Sequence, residues 1–84
     1  MPKVLVYTKS RCPYCVAAKN LLTQKGVAFE EIYLDDHPEQ YATLKARTGL
    51  MTVPQIFIGE TLVGGFDDLS VLEREHKLDA LLKG

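Results

Sequence analysis

Cys12 and Cys15 are the only cysteines of the 84-residue chain, and they stand two residues apart. Before them lies the apolar, β-branched-rich run Val4-Leu5-Val6-Tyr7, and after them Val16 to Lys25 reads as a helix. A Cys-x-x-Cys at a strand-to-helix junction is the pattern of a thiol–disulfide redox site. It also constrains the fold, because a strand must end and a helix begin within Arg11-Cys12-Pro13-Tyr14-Cys15.

Two other uses of the cysteines weaken on inspection. A structural zinc site takes four ligands, whereas this chain offers one Cys pair and two isolated histidines, His37 and His76. Inert buried thiols do not require Pro13 or the junction. Met1-Pro2-Lys3 leads straight into the strand pattern without the apolar segment of a secretory signal. The apolar runs are far shorter than the roughly 20 residues of a membrane span. A cytoplasmic location is therefore expected, where a lone Cys pair is more often catalytic than a staple. The length fits a single domain over residues 1–84. A formal net charge of −1 gives no reason to expect nucleic acid or an anionic membrane as partner.

Val4 to Tyr7 has the continuous apolar character of a central strand buried on both faces. Pro13 suits the first helical position, since its missing N–H would be unbonded there. Ala17, Ala18, Leu21 and Leu22 repeat at helical spacing, and Gly26 fits the stop. Ala28 to Leu34 predicts a second strand, with Glu30 and Glu31 marking it as an edge. A second helix is expected from about Pro38 to Arg47, resting on Tyr41, Leu44 and Ala42. Gln55 to Ile58 and Thr61 to Val63 read as a hairpin, with Gly59-Glu60 fitting a turn that has glycine first. Asp67 is the expected cap of a third helix carrying Leu69, Val71 and Leu72, with Ser70 at its third position. A last short turn spans Leu78 to Leu82. The order β-α-β-α-β-β-α folds as an α/β protein, a four-stranded mixed sheet with helices on both faces.

The thiolate, not the thiol, attacks disulfides. Cys12 sits where the helix begins, facing unpaired N–H groups and the positive end of the dipole. Lys9 and Arg11 add positive charge, so a depressed pKa is expected at Cys12. Cys15, one turn into the helix, is expected to be more buried. Cys12 is then the nucleophile and Cys15 the resolving thiol.

Other stretches admit plain readings when taken alone. Pro54 in Thr52-Val53-Pro54 can simply start a strand, because proline cannot donate to a ladder. A cis Val53–Pro54 bond would instead turn the Val53 backbone toward an extended peptide. Base frequency favours trans, as about 5–6% of X–Pro bonds in folded proteins are cis. Gly64-Gly65-Phe66-Asp67-Asp68 offers a helix N-terminus able to hold a carboxylate, and equally an ordinary cap. Lone basic residues such as Lys9 and Arg47 are mostly solvated charges.

Taken together, Cys12-Pro13-Tyr14-Cys15, Thr52-Val53-Pro54 and Gly64-Gly65-x-Asp67-Asp68 resemble the dithiol glutaredoxins in order and spacing across essentially the whole chain. The short length resembles the small bacterial type. The resemblance implies a thioredoxin fold, a cis Pro54 facing the cysteines, and glutathione as co-substrate with no tightly bound cofactor or metal. It implies that Lys9, Tyr14 and Arg47 face the glycine carboxylate end of glutathione. Thr52, Val53 and Pro54 would form the wall on which the Val53 backbone pairs with glutathione's cysteine. The Gly65, Phe66 and Asp67 backbone, with the Asp67 or Asp68 carboxylate, would hold the γ-glutamyl end. It further implies a monomer acting on disulfide-containing or glutathionylated proteins. Ribonucleotide reductase, a sulfur-assimilation reductase and general deglutathionylation all stay open. Two alternatives carry less support: a carrier reduced by thioredoxin reductase, which needs no glutathione cradle, and a cluster-bridging dimer, which Pro13 disfavours. This chain departs from many relatives in having Phe66 in place of a further Cys, and in the apolar Leu50 and Met51 before Thr52.

Overall fold

The strand that precedes the cysteines, β1 (Val4–Thr8), lies in the middle of the sheet in the computed structural model, which describes residues 2–50 and 52–83. Parallel to it on one side runs β2 (Glu30–Tyr33), the edge strand that its two glutamates suggest. On the other side β3 (Gln55–Ile58) pairs antiparallel, and β4 (Thr61–Gly64) closes the order β2-β1-β3-β4. Gly59 opens the hairpin turn with φ of +62°, a left-handed value that glycine adopts without a Cβ penalty. Val63 is an extra residue in β4, where Ile56 pairs with Gly64 while Phe57 pairs with Leu62.

Alternation along β1 and β3 divides the core into two layers. Val4, Val6, Ile56 and Ile58 face α1 (Pro13–Gln24), α3 (Phe66–Arg74) and α4 (Leu78–Lys83), meeting Ala18, Leu22, Leu69, Leu78 and Leu82. Tyr7 and Phe57 face the opposite way, onto Leu34 and onto Leu44 of α2 (Pro38–Thr48). Fully buried leucines such as Leu22 and Leu69 each contribute roughly 1.5–3 kcal/mol of transfer free energy. Helices therefore cover both faces, and the fold is the thioredoxin-type mixed sheet. Among the described residues no helix is long and apolar enough to cross a membrane.

Four local expectations need correction. β2 is shorter than Ala28 to Leu34, because β1 offers ladder partners only from Leu5 to Thr8, opposite Glu30 to Tyr33. Leu34 instead starts a 3-10 turn, Leu34–Asp36, and is buried there. Ala42 is exposed, since the inward side of α2 is formed by Tyr41 and Leu44, one turn apart. Val71 is exposed as well, while Leu69 and Leu72 turn into the core. The cap of α3 is Gly65, not Asp67, so the third helical position is held by Asp68 and not by Ser70. The carboxylate of Asp68 accepts the Gly65 N–H at 3.0 Å. Met51 lies outside the described residues.

Candidate active site

Cys12 is the N-cap of α1, with extended backbone (φ −118°, ψ 93°), and Pro13 follows at the first helical position. Arg11, with φ of +56°, turns the chain from the loop after β1 into the helix. Cys12 and Cys15 are joined as a disulfide, their Cα atoms 5.2 Å apart. The Cys15 N–H donates to Cys12 Sγ at 3.1 Å and to the Cys12 carbonyl at 3.1 Å. The sulfur thus occupies the place of a capping serine or aspartate oxygen. An N–H aimed at Sγ and the positive helix end both favour an anionic sulfur when the bond is reduced. Cys12 is half-buried and Cys15 only 2% exposed, which is the asymmetry expected from their places on the helix.

The approach loop is tied down from the side. Asp35, in the 3-10 turn, accepts the Ser10 N–H at 3.3 Å. Hydrogen bonds from Ser10 hold the Asp35 carboxyl below its ordinary value of 3.8, against the opposing effect of burial.

Beside the cysteines opens a groove of about 320 Å³. One wall is the segment before β3, where Thr52, Val53 and Pro54 follow Leu50. The Val53–Pro54 bond is cis. The Val53 carbonyl oxygen lies 3.7 Å from Cys12 Sγ, so one wall of the groove stands beside the sulfur. The other wall is the start of α3, from Gly65 to Asp68. Tyr14, 63% exposed, stacks on Phe66 with ring centroids 6.2 Å apart and planes at 26°, joining the two helix N-termini.

Eight of the ten residues singled out around the cysteines line this groove, with Leu50 in addition. Lys9 and Arg47 are not part of that lining. Lys9 Nζ stands 4.7 Å from the centre of the Tyr41 ring, and Arg47 Cζ 4.8 Å from that of Phe57. Arg47 borders a second, smaller hollow of about 170 Å³ with Tyr7 and Leu44. Among the described residues neither cation makes an ion pair.

One residue of the site is not visible in the sequence. Gln55, read there only as the start of a strand, is 1% exposed beneath the groove. Its Nε2 donates to the carbonyls of Leu50 (3.1 Å) and Thr52 (3.0 Å). No signature announces such bonds, because their acceptors are backbone groups of an irregular loop.

The Cys12–Cys15 pair thus stands at a helix start, beside a cis-proline segment and a second helix N-terminus. The glutaredoxin family model matches residues 4–63. The chain belongs to the glutaredoxin family. It is 60% identical over 82 residues to a glutaredoxin of Pseudomonas aeruginosa, covering 98% of each chain. To glutaredoxin 3 of Escherichia coli it is 47% identical over 83 residues, covering 99% of this chain and 100% of that one. Among solved structures, the glutaredoxin of Brucella melitensis superposes with a TM-score of 0.87 at 53% identity, over 99% of this chain and 90% of its own. A buckwheat glutaredoxin–glutathione complex gives 0.90 at 35% identity, over 98% and 77%. With its redox-active pair Cys12–Cys15, this glutaredoxin is a thiol–disulfide oxidoreductase.

Proposed function

We propose that the chain uses glutathione as reductant, and that it reduces protein disulfides and glutathione mixed disulfides through Cys12 as nucleophile and Cys15 as resolving thiol. The observation that carries this reading is the groove beside Cys12, between the Val53 backbone, whose carbonyl lies 3.7 Å from Cys12 Sγ, and the α3 N-terminus. Its volume falls within the range of about 300–1,000 Å³ usual for small-molecule sites. The first-turn N–H groups of Phe66 and Asp67 have no partner inside α3, which suits the α-carboxylate of a γ-glutamyl group. Asp68 already accepts the Gly65 N–H, so Asp67 is the better placed acid for the ammonium. The Val53 backbone, on the wall formed with Thr52 and Pro54, is assigned to the cysteine of glutathione. Tyr14 lies toward the glycine end, with Lys9 and Arg47 as its cations. That neither makes an ion pair among the described residues favours this role.

The chemistry follows in four exchanges. The Cys12 thiolate attacks one sulfur of a protein disulfide, and the other sulfur leaves as thiolate. Cys15 then attacks Cys12 Sγ, releasing the second protein thiolate and closing Cys12–Cys15. One glutathione thiolate opens that bond at Cys12 and frees Cys15. A second attacks the glutathione sulfur, so that oxidised glutathione departs and Cys12 is reduced. On a glutathionylated protein Cys12 takes the glutathione directly and Cys15 is dispensable. The proposal includes one folded domain over residues 1–84, working as a monomer in a reducing cytoplasm, with ribonucleotide reductase among the candidate substrates.

Single substitutions test it. Cys12→Ser is expected to abolish turnover of both a protein disulfide and a glutathionylated peptide. Cys15→Ser is expected to keep the second and lose the first. Equal behaviour of the two variants on the glutathionylated peptide would remove the asymmetry.

A further inference from the structure

We propose that the Gln55 carboxamide positions the groove wall that carries Leu50 and Thr52, so that Gln55 sets affinity for the glutathione moiety without touching it. The inference rests on the glutathione reading above. Gln55 is 1% exposed and does not line the groove, so contact with a ligand is not its role. Its Nε2 holds two carbonyls of that wall, Leu50 O at 3.1 Å and Thr52 O at 3.0 Å. The segment so pinned carries Val53, whose carbonyl lies 3.7 Å from Cys12 Sγ. Leu50, Thr52, Val53 and Pro54 belong to no helix or strand ladder, so their position depends on bonds of this kind.

The other end of the carboxamide sharpens the point. Gln55 Oε1 is buried, and among the described residues it has no hydrogen-bond partner. A buried acceptor left unpaired is unfavourable. An apolar side chain of the same length would avoid that cost, so what the carboxamide contributes is its two donors. They converge on alternate carbonyls of the wall, a geometry that fixes the direction of the chain as well as its distance.

The experiment compares Gln55→Met, which keeps length and removes both donors, with the unaltered protein. The substrates are a glutathionylated peptide and the same peptide carrying a cysteine mixed disulfide, with reduction of Cys12–Cys15 by dithiothreitol as a third rate. For Gln55→Met, KM for the glutathionylated peptide is expected to rise about tenfold, the scale of two neutral hydrogen bonds, with kcat within about twofold. The dithiothreitol rate should be unchanged, because that reductant needs no peptide wall. An unchanged KM, or equal losses in all three rates, overturns the positioning role. If the unaltered protein handles both mixed disulfides with the same KM, the glutathione reading itself fails, whatever Gln55→Met does. A measurement on the unaltered protein is independent of whether the variant folds. Adding S-methylglutathione is expected to slow exchange of the Gln55 side-chain N–H protons several-fold, by the reciprocity of coupled equilibria. Unchanged exchange with the groove saturated counts against the proposal.

Discussion

The carboxylate of Asp68 occupies the space that a Cβ on Gly64 would need. Gly64 has φ of +111°, and Asp68 is held in place by the Gly65 N–H at 3.0 Å. The last residue of β4 and the first turn of α3 are thus fitted to one another. This fit aims the α3 N-terminus into the groove.

Gly64→Ala is expected to lower stability by about 1–3 kcal/mol from its backbone conformation alone, with the collision in addition. Asp68→Ala removes the cap bond, at about 0.5–1.5 kcal/mol. The double variant should lose less than the sum, because the collision vanishes with the carboxylate. Denaturant unfolding of the four oxidised proteins measures this. Strict additivity would mean that the two residues do not compete for one space.

Tyr14 and Phe66 make the second link between the helix starts. A double-mutant cycle on Tyr14→Ala and Phe66→Ala, read as unfolding free energy of the oxidised protein, should give a coupling of about 0.5–1.5 kcal/mol. A coupling near zero would show that the rings merely lie near each other. The Phe66 ring thus joins the start of α3 to the start of α1.

What the sequence makes legible here is local chemistry. The N-cap sulfur, Pro13, the edge glutamates and the glycine-first hairpin each follow from two to four neighbouring residues. The cap of α3 is less legible, because Gly65 and Asp67 are both acceptable caps. The choice between them depends on the route that Gly64 takes, which adjacent side chains do not encode. β2 is trimmed by the reach of β1, a non-local fact. Gln55 is the extreme case. A glutamine after proline reads only as a strand start, and its burial is set by the carbonyls it meets in the folded loop.

One cation links the C-terminal helix α4 to α3, beside the buried Leu78 and Leu82. Lys25 Nζ lies 2.8 Å from Glu73 Oε1 and 2.9 Å from Asp79 Oδ1. Hydrogen bonds that Lys25 donates to Glu73 first, then to Asp79, raise the Lys25 pKa above 10.5, and Lys25 in turn lowers that of Asp79 below 3.8. Lys25→Met should speed amide hydrogen exchange in α4, at Leu81 and Leu82, and leave β1 and β3 unaffected. The same acceleration throughout the chain would mean that α4 does not open separately from the rest.

Acid stability offers a test on the other side of the molecule. Thr8 Oγ1 donates to Glu31 Oε2 at 2.7 Å, and Lys19 Nζ lies 3.0 Å from the same oxygen. The Thr8 hydroxyl is the chief cause that lowers the Glu31 pKa below 4.5; burial opposes it and Lys19 assists. A carboxyl held low in the folded state stabilises fully above its unfolded value, and that contribution is lost as pH falls through the folded one. Thr8→Val keeps the shape of a buried side chain and removes the hydroxyl. The variant should therefore be less stable than the unaltered protein at pH 7, and the gap should narrow as pH falls from 4.5 downward. Unfolding curves at neutral and acid pH decide it, and a constant gap across that range would show that Glu31 protonation is not what the hydroxyl controls.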